Sequence, residues 1–147
     1  MRSPAQVEEV MHRLLGMDPR RRPRVEVHVF YGACGTGKTR RAMQMTGGVA
    51  YWAPARESAD KWRGYRGQAD IVLDDFDGKV PLHDLVNLLI RRPTVYDRAD
   101  ARQRVIITSN TPPEKWYPDG EEAEFVGEML RDLITSSGGV TRFEKNW

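Results

Sequence analysis

The sequence has a single cysteine, Cys34, and no long run of apolar residues. Each of these two features excludes a class of protein. One cysteine cannot form an intrachain disulfide or supply the cysteine cluster of a structural zinc site. No segment approaches the roughly 20 consecutive apolar residues that a membrane helix needs. The N-terminus also lacks the apolar core of a secretory signal. We therefore expect a soluble intracellular protein without a membrane partner.

Chain length limits the number of domains, and the charge composition bears on whether the protein binds nucleic acid. The chain has 147 residues, which is about one ordinary domain. Its net charge is only +2, which leaves nucleic-acid binding undecided. Arginine supplies 18 of the 23 basic residues, and arginine is the better residue for bidentate phosphate contacts. A genome rich in G and C would produce the same bias, so the arginine content favours no single function.

Apolar segments with strand and helix patterns alternate along the chain. Strands are predicted at 25–31, 49–53, 71–73 and 105–107, and helices at about 38–45, 82–89 and 121–134. This alternation predicts an α/β fold with a mostly parallel central sheet. Residues 136–139, Ser-Ser-Gly-Gly, are interpreted as the end of the last element. We assign residues 1–24 to an N-terminal helical segment with a basic linker, and residues 25–147 to the main domain.

A phosphate-binding loop follows the first strand. The sequence matches the pattern G-x-x-x-x-G-K-[ST] at every required position, with a strand before it and a helix after it. The glycines let backbone N–H groups face phosphate oxygens, and the dipole of the following helix adds to the anion site. Lys38 is predicted to reach the β- and γ-phosphates of ATP, and the Thr39 hydroxyl to ligate Mg²⁺. The predicted nucleotide-contacting residues are Gly32, Ala33, Cys34, Gly35, Thr36, Gly37, Lys38 and Thr39.

Polar side chains end the two later buried strands. Asp74 and Asp75 follow residues 71–73, and Asp74 lies 36 residues after Lys38. Asp74 is predicted to hold Mg²⁺, and Asp75 to orient or deprotonate the attacking water. Asn110 lies a further 36 residues along, and its amide is placed to hydrogen-bond that water or the γ-phosphate. A water-positioning acid favours ATP hydrolysis, so a small P-loop nucleotide kinase is the weaker alternative.

Together these motifs resemble the superfamily 3 helicases of small viruses, and in particular the replication initiator (Rep) proteins of circular single-stranded DNA viruses of the circovirus type. Four stretches carry the resemblance: residues 27–32, 61–67, 74–78 and 107–117. The resemblance implies a P-loop NTPase with an AAA+-like three-layer sandwich, and an ATPase that forms a hexameric ring. Such a ring surrounds single-stranded DNA and moves along it during rolling-circle replication. RNA remains open as the alternative track.

The resemblance also implies an arginine finger, donated from a neighbouring subunit to the ATP site. Arg131 lies where the resemblance places this residue, and Arg142 is the second candidate. The alternative for Arg131 is an ordinary arginine on a helix surface.

A DNA-gripping β-hairpin is implied between the paired acids and Asn110. In it, an aromatic ring would stack on a base and arginines would contact phosphates, although a solvated hairpin is the alternative. Relatives often have Lys-Gly at the hairpin tip, where this chain has Arg98-Ala99. The predicted nucleic-acid residues are Tyr96, Arg98, Arg102 and Arg104.

Full-length initiators carry a nicking domain with a His-hydrophobe-His metal motif and a catalytic tyrosine. The three histidines here, His12, His28 and His83, are far apart, so we expect that domain only in a full-length protein. Residues 1–24 are interpreted as a remnant of an oligomerisation region, and an origin in a eukaryotic virus would imply the host nucleus. A nucleotide-dependent nucleic-acid-binding scaffold is the alternative from another functional class.

Overall fold

The computed structural model describes residues 25–53, 66, 68–90 and 103–144, which form a parallel sheet with helices on both faces. In chain order the elements are β1 (Val25–Gly32), α1 (Lys38–Thr46), β2 (Tyr51–Ala53), β3 (Asp70–Phe76), α2 (Leu82–Ile90), β4 (Gln103–Ser109), a 3₁₀ turn (Pro113–Lys115), α3 (Ala123–Ser137) and β5 (Gly138–Phe143). The five strands lie in the order β2-β3-β4-β1-β5, and every pair is parallel. The predicted segment 1–24 lies outside the described residues, so its assignment remains a prediction.

The central strands are almost continuously apolar because both of their faces are covered. In β4, three successive residues, Val105, Ile106 and Ile107, have no exposed surface, and Val27 and Val29 of β1 are equally buried. Side chains along a strand point alternately to the two faces, so such runs need a hydrophobic layer on each side. The sequence therefore specifies a sheet that is buried between helices.

The helices supply these two layers. On one face, Ala42 of α1 packs against Phe30, Val72 and Ile106. On the other face, α2 and α3 pack against the alternate residues of the same strands. The predicted α/β fold and its three-layer arrangement are confirmed. No helix in the described ranges is long and apolar enough to cross a membrane.

The end of the chain differs from the prediction. Residues 136–139 do not terminate the last element, because α3 continues to Ser137 and β5 begins at Gly138. Of the six residues of β5 only Val140 and Phe143 are apolar, so the segment lacks a strand pattern of its own. It is a strand because it pairs with the free edge of β1, from Val27 to Gly32. A tertiary partner of this kind leaves no local signal in the sequence.

Gly138 has a packing role that can be tested. A Cβ at this position would lie 2.0 Å from the carbonyl oxygen of Val27, whereas a Cβ at Gly139 would have no atom within 4 Å. We expect Gly138→Ala to lower the free energy of unfolding by roughly 1–3 kcal/mol, as overpacking does. Gly139→Ala is the matched control and should leave stability unchanged or slightly higher. Urea denaturation of both variants checks this, and equal midpoints would contradict it.

Candidate nucleotide-binding and hydrolysis site

The phosphate loop, the two acids and Asn110 meet at one edge of the sheet. The segments that follow β1, β3 and β4 all start at the carboxyl ends of adjacent parallel strands, where ligands bind in open α/β sheets. Lys38 begins the helix after β1, Asp74 and Asp75 lie near the end of β3, and Asn110 follows β4. Hydrogen bonds join these three segments, so the predicted residues form one cluster.

The first turn of α1 is left open to an anion. No side chain caps the helix at Gly37, which has a left-handed φ of 93°, and the first turn contains no acidic residue. The first N–H groups of a helix have no intrahelical partner, and the helix dipole makes this end positive. The arrangement fits a phosphate chain, as the P-loop pattern predicted.

Lys38 links the loop to the strand that ends in Asn110. Its ammonium group donates to the carbonyl oxygens of Gly32 and Ala33, at 2.5 and 2.8 Å, and lies 3.4 Å from Asn110 Oδ1. The side chain is buried although it carries a charge. A buried ammonium needs such acceptors, and here they hold the charge beside the open end of α1.

Thr39 and Asp74 form the part of the site that suits a cation. The Thr39 hydroxyl donates to Asp74 Oδ1 at 2.8 Å, which joins the first turn of α1 to the end of β3. Within the described ranges there is no cluster of three or more His, Cys, Asp or Glu side chains that would hold a metal by themselves. One hydroxyl and one carboxylate fit Mg²⁺, which takes its remaining ligands from water and phosphate oxygens.

Asp75 lies in a β-bulge. The register between β3 and β4 shifts between Leu73 and Phe76, so β3 has one residue more than its partner strand there. Asp75 has a φ of 56°, and it alone among the described non-glycine residues has a positive φ. A backbone strain of this kind costs of order 1–3 kcal/mol and often marks a functional position. The bulge changes the direction of the two successive carboxylates, and Asp75 is exposed.

Two residues that lie next to this site were given no role in the sequence analysis. Thr108 and Ser109 are fully buried, and both bond to β3. The Thr108 hydroxyl donates to Asp74 Oδ1 at 2.6 Å and accepts the N–H of Asp75 at 2.9 Å. The Ser109 hydroxyl donates to the Phe76 carbonyl oxygen at 2.7 Å. The signal was two hydroxyl residues at the end of an apolar strand, but only the following asparagine was given a role.

Trp116 forms hydrogen bonds with the residues on both sides of Asn110. Its indole N–H lies 3.1 Å from Ser109 Oγ and 3.1 Å from the carbonyl oxygen of Thr111. The ring is buried and packs edge-on against Phe76, with the ring centroids 4.7 Å apart. The segment that carries Asn110 is therefore attached to the end of β3, beside the two acids.

The two candidate arginine fingers have acidic partners within the chain. One guanidinium nitrogen of Arg131 lies 3.0 and 2.8 Å from the two carboxylate oxygens of Glu114, and this hydrogen bonding raises the Arg131 pKa. Arg142 pairs with Glu144 at 3.2 Å. Both arginines are exposed. A contact with a neighbouring subunit is not tested by a single chain, so the finger role stays a prediction.

Arg104 lies at the opposite edge of the sheet from the site. It is at the start of β4, where it donates to both carboxylate oxygens of Asp70 and to the Met45 carbonyl oxygen. Hydrogen bonding to Asp70 raises its pKa. These contacts give Arg104 a structural role, and its predicted contact with nucleic acid stays a prediction. The other predicted hairpin residues, Tyr96, Arg98 and Arg102, lie outside the described residues.

Comparison with known proteins gives a consistent set of relatives. The family model described as RNA helicase matches residues 28–111, a range that includes the phosphate loop, both acids and Asn110. The replication-associated protein of beak and feather disease virus is 38% identical over 111 aligned residues, and the match covers 72% of this chain and 37% of the viral protein. That of canary circovirus is 34% identical over 112 aligned residues, and the match again covers 72% of this chain and 37% of the relative.

A third relative, the replication-associated protein of porcine circovirus 1, is 36% identical over 97 aligned residues, and the match covers 62% of this chain and 30% of that protein. The chain therefore spans about a third of the length of the curated relatives that it matches.

Proposed function

We propose that this chain, which belongs to the RNA helicase family as a domain of the circovirus-like replication-associated type, hydrolyses ATP with Mg²⁺ to move along single-stranded DNA. Its class would be superfamily 3, with an AAA+-like ATPase core. The observation that carries the proposal is the Lys38 ammonium, held between the loop carbonyls and the Asn110 side chain. The contact supports the proposal because the lysine that would bind phosphate lies next to an amide that follows a different strand.

The open turn of α1 and Lys38 would bind the phosphates of ATP, and Thr39 with Asp74 would hold Mg²⁺. When bound, Mg²⁺ neutralises charge on the phosphate oxygens. The Thr39 hydroxyl donates its proton in a hydrogen bond to Asp74 Oδ1, so its lone pairs are left for a cation. Lys38 brings a fixed positive charge to the γ-phosphate from a buried position, where water screens it little.

Asp75 and Asn110 would act on water. The backbone N–H of Asp75 donates to the Thr108 hydroxyl, which holds the backbone at this residue in place. The side chain is exposed, so its carboxylate is accessible to water. It would accept the proton of the attacking water, and the Asn110 amide would orient that water against the γ-phosphate. Asn110 Oδ1 lies next to the Lys38 ammonium group. A movement of Lys38 when the γ-phosphate is cleaved would therefore be transmitted to the residue that follows β4.

We also propose a homo-oligomeric ring, hexameric by family resemblance, in which a neighbour completes each site with Arg131 or Arg142. For Arg131 this requires exchange of its Glu114 partner for phosphate. The two side chains are 44% and 39% exposed, and pairs of such exposure contribute only about 0–1 kcal/mol, so the exchange costs little.

The track would be gripped by Tyr96, Arg98, Arg102 and Arg104, with RNA as the alternative nucleic acid. In a longer protein, a nicking domain would accompany this one in rolling-circle replication. The host nucleus is the proposed location if the source is a eukaryotic virus.

The test is steady-state ATP hydrolysis with Mg²⁺ over a range of protein concentrations, with and without single-stranded DNA. Turnover per subunit should rise with protein concentration, because the sites are shared, and rise again with DNA. Hydrolysis should disappear in Lys38→Ala. Since no phosphoryl acceptor is present, this turnover also separates the proposal from a nucleotide kinase. A rate that responds neither to DNA nor to concentration would instead favour the kinase or a nucleotide-dependent scaffold.

A further inference from the structure

Thr108 lies between the two acids of β3 and touches both of them. It is fully buried in β4, opposite the bulge that contains Asp74 and Asp75. Its hydroxyl is 2.6 Å from Asp74 Oδ1 and 2.9 Å from the backbone nitrogen of Asp75. A single hydroxyl group therefore contacts the proposed magnesium ligand and the backbone of the proposed water-activating residue.

The direction of both hydrogen bonds is fixed by the chemistry of the partners. A threonine hydroxyl has one proton to donate and two lone pairs to accept with. The backbone N–H of Asp75 is only a donor, so Thr108 accepts that bond. The Thr108 hydroxyl therefore donates its own proton in the hydrogen bond to Asp74 Oδ1. It links the carboxylate to the bulge in one defined orientation.

Thr39 donates to the same carboxylate oxygen, but its situation differs. Thr39 is exposed, and a threonine at this position turns its lone pairs toward a bound cation. Thr108 has no exposed surface, so water cannot replace either of its bonds. The hydrogen bonds from Thr39 and from Thr108 to Asp74 both end on Oδ1, so Oδ2 takes part in neither of them. Of the two threonines, Thr108 is the one whose hydrogen bond to Asp74 is shielded from water.

We infer that Thr108 is a positioning residue for the magnesium site: its hydroxyl holds Asp74 for Mg²⁺ and fixes the bulge that directs Asp75. The inference rests on the proposed use of Mg²⁺ with ATP. Residues that hydrogen-bond a metal ligand typically change metal affinity by roughly 10- to 100-fold when they are removed. The loss of the Thr108 hydroxyl should therefore appear first in the magnesium dependence of nucleotide binding.

The experiment measures binding of a fluorescent ATP analogue to the chain, in EDTA and during titration with MgCl₂. The readout is the Mg²⁺ concentration that gives half of the magnesium-dependent gain in affinity. Thr108→Val keeps the shape of the side chain and removes the hydroxyl, and should raise this midpoint about 10- to 100-fold. Thr108→Ser keeps the hydroxyl and should stay close to wild type. Binding in EDTA should be similar in all three proteins, because it depends on the phosphate loop.

Ser109→Ala is the matched control for a merely structural effect. Ser109 is equally buried and also bonds β3, through the Phe76 carbonyl oxygen, but it contacts neither acid. Its loss should loosen the same strand pair without moving the magnesium midpoint. If Thr108→Val does not fold, as judged by circular dichroism, Thr108→Ala provides the same comparison.

Three outcomes overturn the inference: a hydroxyl-free variant with the wild-type midpoint, a serine variant as weak as the valine variant, or an equal shift in Ser109→Ala. A wild-type chain that binds nucleotide without any magnesium dependence would instead contradict the magnesium site of the proposed function. The two failures are therefore distinguishable in one titration series.

Discussion

Replacement of Asp75 by asparagine is expected to lower the rate of ATP hydrolysis by roughly 10²- to 10⁴-fold, the usual contribution of a general base. The change removes the basic oxygen but keeps the size of the side chain. Asp75 makes its described hydrogen bond through the backbone N–H to Thr108, which the substitution preserves. The affinity for ATP with Mg²⁺ should therefore remain nearly unchanged. A single-turnover hydrolysis assay beside a binding titration measures the two quantities separately.

Asp77→Asn is the matched control for this variant. Asp77 is two residues farther along, is 43% exposed, and pairs with Lys79 at 3.8 Å on the surface. Its substitution removes the same charge from the same region and should leave hydrolysis near the wild-type rate. Asp75→Asn with wild-type turnover would exclude Asp75 as the base. Equal losses in both variants would mean that the general negative charge of this edge matters and not the position of Asp75.

The parts of the site that depend on local sequence were predictable. The phosphate loop is a continuous segment, and its pattern specifies the glycines, Lys38 and Thr39 together. The acids and Asn110 were found because each ends an apolar strand, and adjacent parallel strands bring their carboxyl ends to one edge. The hydrogen bonds from Thr39 to Asp74 and from Lys38 to Asn110 join residues that are 35 and 72 positions apart. The chemical roles of these residues remain predictions.

The parts that depend on a tertiary partner were not predictable. The bulge at Asp75 has no glycine to mark its positive φ, and the compensating hydroxyl comes from Thr108, 33 residues away. Thr108 itself is typical of a strand, since β-branched residues favour sheets, so its identity did not indicate a role. Strand β5 was missed for the same reason, because Gly138 looks like a helix terminator and is instead needed for close approach to β1.

Strand β3 is also longer than the apolar segment that predicted it. The pattern gave residues 71–73 for the third strand, but β3 extends over Asp70–Phe76. Its polar ends stay in the strand because neighbours satisfy them: Asp70 bonds Arg104, and Asp74 bonds Thr108. In the sequence, a polar residue after an apolar segment indicates the end of a strand. In the structure, a hydrogen-bonding partner on the adjacent strand allows the polar residue to remain in the strand.

Replacement of Lys38 by methionine is expected to lower hydrolysis by at least two to three orders of magnitude and also to weaken nucleotide binding. Methionine is similar in length but lacks the charge and the three donors. The ammonium group lies at 2.5, 2.8 and 3.4 Å from its acceptors on Gly32, Ala33 and Asn110, and methionine leaves these acceptors without a donor. Hydrolysis at saturating ATP and the dissociation constant of an ATP analogue measure the two effects.

The combination of effects distinguishes Lys38 from Asp75. Under the proposed function Lys38 would contact phosphate in the bound state and in the transition state, so its loss should raise the dissociation constant and lower turnover together. Loss of Asp75 should lower turnover alone. Lys79→Met is the control, because Lys79 is 73% exposed on the surface and should change neither quantity. A Lys38→Met variant that binds normally and hydrolyses normally would show that the loop does not hold the reacting phosphate. That result would remove the basis of the proposed ATPase function.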